Sequence, residues 1–247
     1  MEIKFLGPLG KVTGSCCWMR DIRRGWNFLI DCGMQQGEPT AKAWNACNWP
    51  FNPADLDFVV LTHAHVDHSG LIPALYQQGF KGPVYATSET RELAEVLLKD
   101  ASRFPGCPFT QDNVDTIRWK EPFSKPLLGR HHPIAQDLFL QFFRSGHVAG
   151  AVSVAVYWGA PGKDQLSIIF SGDVGPNVED SEDLPFLRHR MNPGCFDYAV
   201  LESTYGHIAR PREEVAPEGR RSGLRRWLDR TLEQGGALVI PAFALGR

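Results

Sequence analysis

The 247-residue chain contains no apolar run near the ~18 residues that a membrane helix needs. It also opens without the apolar stretch and small-residue cleavage site of a secretion signal. No internal repeat or low-complexity tract interrupts it. Charge of one sign is not in excess, with 26 basic and 28 acidic residues, which excludes a polybasic nucleic-acid arm. Six cysteines are present, at 16, 17, 32, 47, 107 and 195, yet none forms a C-x-x-C pair. Together with the missing export signal, this predicts reduced, mostly buried thiols and a cytoplasmic, membrane-free protein. Hydrophobic content of 43% and charged content of 22% exclude a disordered chain. Such a length supports a sizeable core, in one domain or one domain plus a small second piece.

Short apolar runs alternate with turn residues. Strands are predicted at Ile3 to Leu6, Asn27 to Ile30, Phe58 to Leu61, Val84 to Ala86, Leu138 to Phe143, Val152 to Trp158, Leu166 to Phe170 and Tyr198 to Leu201. Phe58-Val59-Val60-Leu61 is apolar throughout, as a strand buried on both faces would be. Helices are predicted around Leu71, Ile72, Leu75 and Tyr76, and after an N-cap at Ser88 with a stripe of Leu93, Val96 and Leu97. A last helix carries Leu224, Trp227, Leu228, Thr231 and Leu232 and stops at Gly235-Gly236. Alternating strands and helices predict a layered α/β protein. Residues Ile208 to Gly223 read as a linker or surface loop. From Tyr205 to Arg247 there are eight arginines, no lysine and five acids, a local charge of +3. That suits a phosphate-bearing substrate, although a solvated loop and outer helix face would show the same composition.

The chemistry is concentrated in His63-Ala64-His65-Val66-Asp67-His68, between the strand ending at Leu61 and the helix opening with Ser69-Gly70-Leu71. His63 and His65 are two residues apart, so an extended chain points them the same way. Asp67 and His68 lie where the chain turns into the helix and can reach a second point. Imidazoles with carboxylates suit zinc, with manganese or iron as alternatives. Further ligand-type residues follow apolar runs: Asp31, His147, Asp173 and Glu202. In layered α/β proteins, sites gather beyond the carboxyl ends of strands, so five segments would deliver ligand chemistry to one edge.

His63-x-His65-x-Asp67-His68 resembles the motif of the metallo-β-lactamase superfamily. Asp31, His147 within Ser145-Gly146-His147 and Asp173 within Ser171-Gly172-Asp173 match its other motifs in order and spacing. Three segments are similar to the β-CASP branch of RNA- and DNA-processing nucleases. They are Gly10 to Cys16, Leu201-Glu202-Ser203-Thr204-Tyr205-Gly206, and Ile240 to Arg247.

The resemblance implies an αβ/βα sandwich, carboxyl-terminally incomplete. It divides the chain into a metallo-β-lactamase-like domain over residues 1–204 and the opening of a β-CASP domain over 205–247. His63, His65 and His147 would hold one metal, Asp67 and His68 a second, and Asp173 would bridge them. The cofactor implied is zinc, up to two ions, with manganese as an alternative. Asp67 and Asp173 would serve the catalytic step, Asp31 would orient the histidine loop, and Glu202 would touch a ligand histidine. The implied activity is phosphodiester hydrolysis of RNA or single-stranded nucleic acid, as an endonuclease or exonuclease. Small thioester or lactone hydrolysis, and a non-catalytic scaffold role in RNA processing, are the alternatives. The family's later half supplies a further metal-ligand histidine, so the second site is expected to be the weaker. Neither His189 nor His207 fits the later roles, and His131-His132 reads as a loop pair. The apolar strand expected at Ala237 to Ile240 would pack back on the sheet or pair with a second copy.

Overall fold

The computed structural model describes residues 1–7, 10–37, 40–121, 131–160, 164–175, 196–209, 211 and 216–241. Two sheets lie face to face. The first has the order β1 (Glu2–Phe5), β2 (Cys17–Asp21), β3 (Trp26–Ile30), β4 (Phe58–Val60), β5 (Val84–Tyr85) and β6 (Trp119–Lys120). Its first three strands are antiparallel, and β3 to β6 run parallel. The second sheet has the order β11 (Tyr198–Val200), β10 (Leu166–Phe170), β9 (Val152–Trp158), β8 (Leu138–Arg144) and β7 (His132–Ala135). Its β10 and β11 are parallel and its other pairs antiparallel.

Period-two alternation builds the core between the sheets. Val152, Val154, Val156 and Trp158 of β9 face inward with Leu138, Leu140 and Phe142 of β8. They meet Trp26, Phe28 and Ile30 of β3 and Phe58 and Val60 of β4. Phe28 stacks on Phe58 at 4.5 Å between ring centroids, and Phe58 meets Tyr85 edge-on. The other face of the first sheet, through Trp18, Leu29, Val59 and Val84, packs against helices. These are α3 (Ile72–Gln77), α4 (Ser88–Ala101) and α5 (Gln111–Asp115); two further short helices are α1 (Ala41–Asn45) and α2 (Val66–Ser69). β4 is thus buried on both faces, as its unbroken apolar run predicts.

Several details differ from expectation. Strands β2, β6 and β7 lie outside the expected set. Thr87, not Ser88, caps α4, its hydroxyl accepting from the Thr90 N–H at 3.2 Å. The same hydroxyl donates to the Gly150 carbonyl at 2.8 Å, a tertiary bond that Ser88 does not make. The buried stripe of α4 is Thr90, Ala94 and Leu98; Leu93 and Leu97 flank it, and Val96 is exposed. His132 opens β7 instead of lying in a loop, and His131 stacks on Tyr157 at 4.2 Å. The last helix, α6, spans Pro217–Glu233, so part of the expected linker is helical. Gly235, at φ 66°, supplies the left-handed turn that ends it. Ala237 to Ile240 is not a strand, and Val239 and Ile240 are exposed. No strand edge among the described residues pairs with it. The arginine-bearing segment from Ala242 onward, together with Cys195 and His189, lies outside the described residues.

Candidate metal centre

The ends of β3, β4, β8 and β10 bring the ligand-type residues together at one rim. At the end of β4 the chain leaves the sheet through Thr62 and His63, and one helical turn, α2, follows from Val66 to Ser69. His63 is 1% exposed. Its Nε2 lies 3.1 Å from His65 Nδ1, and His147 Nε2 lies 3.1 Å from the same atom. The three rings stand 4.9 Å apart pairwise, at 82°, 83° and 82°. The result is a three-bladed propeller with one nitrogen of each ring turned to a common point.

Asp173, from the turn after β10, closes the open side of this propeller. Its Oδ2 lies 3.4 Å from His147 Nε2 and 3.8 Å from His63 Nε2. Its Oδ1 lies 3.3 Å from His68 Nε2. The carboxylate is therefore shared between two groups. In the second group, Asp67 Oδ2 lies 4.0 Å from His68 Nε2.

Asp31 closes the strand β3 with φ 58°, a left-handed conformation uncommon outside glycine. Its Oδ1 accepts from the Thr62 N–H at 2.8 Å, and its Oδ2 from the Thr62 hydroxyl at 2.8 Å and from His68 Nδ1 at 2.7 Å. Asp31 thus fixes the ring of His68 and leaves its Nε2 turned to Asp173. Thr62, which the sequence reading overlooked, also places its hydroxyl 3.1 Å from His63 Nδ1. Its only signal was a polar residue between an apolar run and the first histidine. Glu202 is placed differently from expectation. Its carboxylate accepts from the Val174 and Thr204 backbone at 2.9 and 3.2 Å, and it makes no hydrogen bond to an imidazole among the described residues. It is held on the loop behind Asp173, where its charge still acts on His147.

The proton affinities match this division. Burial pushes His63, His65 and His147 below the ordinary imidazole value, and neighbouring imidazoles add to the effect. Burial would lower His68 too. The Asp31 charge, with hydrogen bonds to Asp173 and Asp31, raises it instead to about 10. Burial pushes Asp67 up, whereas His68 holds Asp173 below the carboxylate range against its own burial.

The donor set fits a cation. Imidazole nitrogens crowded at one point and held toward the neutral form by burial offer lone pairs to a positive ion. Zinc bound at ~2.0–2.1 Å sets tetrahedral ligands about 3.3–3.4 Å apart. The four donor atoms of His63, His65, His147 and Asp173 all lie within 4.8 Å of one another.

Residues 10–193 match the metallo-beta-lactamase superfamily. The chain belongs to this superfamily. Relatives of this chain include proteins named as ribonucleases and as transcription termination factors. Ribonuclease TTHA0252 of Thermus thermophilus is 34% identical over 248 residues, the whole of this chain and 53% of the ribonuclease. Transcription termination factor FttA of Methanothermobacter thermautotrophicus is 32% identical over 98% of this chain and 37% of the factor. Probable RNase MJ4 of Methanocaldococcus jannaschii is 27% identical over the whole chain and 54% of its own length. The chain therefore spans about half or less of the curated relatives it matches. As a metallo-β-lactamase-fold protein it shows the superfamily's sandwich, with the histidine turn on one sheet and His147 and Asp173 on the other.

Beside the second group lies a cavity of about 520 Å³. His68, Asp31, Thr62 and Asp173 form one wall, and Lys11, Thr13 and Ser15 another. Ser203, Thr204 and His207 line it from the chain after β11. His207, which the sequence reading assigned no role, therefore stands on the same cavity as the second group.

Proposed function

We propose that this chain carries the metal centre of a phosphodiesterase that hydrolyses RNA or single-stranded nucleic acid, within the β-CASP branch. The observation that carries the reading is the propeller of His63, His65 and His147, joined through one shared carboxylate, Asp173, to His68 and Asp67. His63, His65 and His147 would hold one ion, Asp67 and His68 the other, with Asp173 between them. Zinc fits the imidazole-rich first group best, and manganese is the alternative. Ions held by these residues would supply water activation, through a lowered water pKa, and would offset charge on phosphate oxygens.

The chain's own residues do the rest. Asp31 and Thr62 hold His68 and His63 in fixed orientations, so the donors need no rearrangement. Lys11, Thr13, Ser203 and Thr204 line the same cavity as Asp173 and offer a phosphate a positive charge and hydroxyls. The Glu202-Ser203-Thr204-Tyr205-Gly206 segment, the arginine-rich stretch after it and the printed names of the relatives favour RNA over small thioesters or lactones. The division at residues 204 and 205 fits β11 ending the second sheet and α6 standing beyond it. A cytoplasmic setting fits the free, buried thiols of Cys16, Cys17, Cys32 and Cys47. No helix among the described residues is long and apolar enough to cross a membrane.

The test pairs zinc content with cleavage of end-labelled RNA by this chain and by a version continued past Arg247. Zinc bound in both, with RNA cut at least by the longer version and not by His147→Ala, is the expected result. Absence of bound zinc in both, or turnover of a thioester but never of RNA, overturns the reading.

A further inference from the structure

Two glycines outside the donor set each press their α-carbon onto a ligand-bearing turn. At Gly33, a Cβ would overlap the Asp67 carbonyl and stand 2.7 Å from the His68 nitrogen. At Gly175, a Cβ would overlap the Gly146 carbonyl and stand 2.7 Å from the His147 nitrogen. In each case the obstacle is backbone, which cannot swing aside as the end of a long side chain can. Neither glycine is needed for a left-handed φ; what each position requires is the missing side chain.

Backbone hydrogen bonds explain why the approaches are so close. Around Gly33, the Cys32 N–H donates to the His68 carbonyl at 2.8 Å and the Met34 N–H to the Val66 carbonyl at 2.9 Å. The Asp67 carbonyl between them accepts from the Ser15 N–H at 2.8 Å, and Gly33 N–H donates to the Ser15 carbonyl at 2.8 Å. Three successive carbonyls of the Asp67–His68 turn are thus held by two other loops, with Gly33 pressed against the middle one. Around Gly175, the N–H donates to the Ser145 carbonyl at 2.9 Å, two residues before His147. Gly175 itself lies two residues after Asp173, so the same short loop carries the shared carboxylate and presses on the His147 turn.

We infer that Gly33 and Gly175 are positioning residues, one for each half of the metal centre. Gly33 sets Asp67 and His68, and Gly175 sets His147 against Asp173. The inference rests on the two-ion reading above, and it assigns the halves to separate backbone brackets that fail independently. Groups that orient metal ligands from outside the ligand set change affinity by about 10–100-fold when altered.

The test uses zinc titration of the whole chain, with ions counted by native mass spectrometry and affinities set by chelator competition. Gly33→Ala is expected to weaken the second ion by about tenfold or more, with the first ion within about threefold. Gly175→Ala is expected to do the reverse. Gly223→Ala, on α6 with nothing within 4 Å of an added Cβ, should leave both ions unchanged. Equal loss of both ions in the two bracket variants, or no loss in either, overturns the inference. If a bracket variant does not fold, amide exchange of the unaltered chain decides. The Ser15, Cys32 and Met34 amides should slow when the second ion binds, and the Gly175 amide when the first binds. Amides indifferent to zinc overturn it. A wild-type chain that binds no zinc sinks the two-ion reading and this inference together. A wild-type chain with two ions and indifferent glycine variants sinks this inference alone.

Discussion

His63, His65 and His147 are pushed below the ordinary imidazole value, by burial and by one another, whereas His68, just as deeply placed as His63, is raised to about 10. The four rings belong to one rim, and His63 and His68 have centroids only 4.0 Å apart. Their surroundings make the difference. The first three face mainly each other, while His68 stands between two carboxylates, Asp31 and Asp173. The rings of one half are thus biased toward neutral imidazole, and the ring of the other toward the charged form. A cation entering the first half meets ready lone pairs; one entering the second must displace a proton.

The most damaging way to break this contrast is to remove the group both halves share. Asp173→Ala should weaken zinc binding in each half by about 100-fold or more, beyond the 10–100-fold typical of outer partners. Loss of one ion only, in a titration followed by mass spectrometry, would show that Asp173 serves a single half. Next comes Asp31→Asn, which removes the charge behind His68 and reaches the propeller only indirectly, through Thr62. Zinc affinity should fall about 10–100-fold in the second half alone. In the metal-free protein the same change should lower the His68 pKa, measured by NMR. The sign for stability follows. A folded pKa raised to about 10, from an unfolded value near 6.5, gives stability that is complete below about 6.5 and lost as pH rises through 10. Asp31→Asn should flatten that alkaline decline in unfolding experiments.

Much of the rim was readable from sequence because its chemistry and its apolar surroundings are both local. His63, His65, Asp67 and His68 directly follow the strand Phe58–Val60, and Asp31, His147 and Asp173 follow equally apolar runs. What stayed hidden depends on contacts between distant segments. Thr87 caps α4 because its hydroxyl also reaches Gly150. Strand β2 mixes Trp18 and Met19 with Arg20 and Asp21, and β7 is a four-residue edge containing Pro133, so neither shows a clean apolar signal. Glu202 is expected to touch a ligand histidine, yet its oxygens accept from the Val174 and Thr204 backbone, a pairing that only the folded loop geometry sets. The spans of β8 and β9 were legible from their apolar runs; the one-residue offset of the α4 stripe was not, because Leu93 and Leu97 flank the truly buried Ala94 and Leu98.

A gentler perturbation sharpens the contrast without any mutation. If His68 carries the displaced proton, affinity in the second half should rise about tenfold per pH unit from near 7 toward 10. The first half should show almost no slope above about 6.5, since its rings are already unprotonated there. Calorimetric titration at pH 7.5 in two buffers of different ionisation heat should count about one proton released with the second ion and none with the first. One proton for each ion would erase the distinction between the halves.

The smallest effect expected is at Glu202. Glu202→Gln keeps a carbonyl oxygen for the Val174 N–H, gives up the weaker bond from the Thr204 N–H, and removes the charge that acts on His147. The residue is exposed, so water screens that charge, and partners of this kind contribute about 0–1 kcal/mol. Zinc affinity in the first half should change by no more than about fivefold, which corresponds to 1 kcal/mol, and His147 should titrate lower still. A loss as large as that of Asp31→Asn would mean that Glu202 orients a ligand directly, and the first half would then depend on an outer carboxylate as the second does on Asp31.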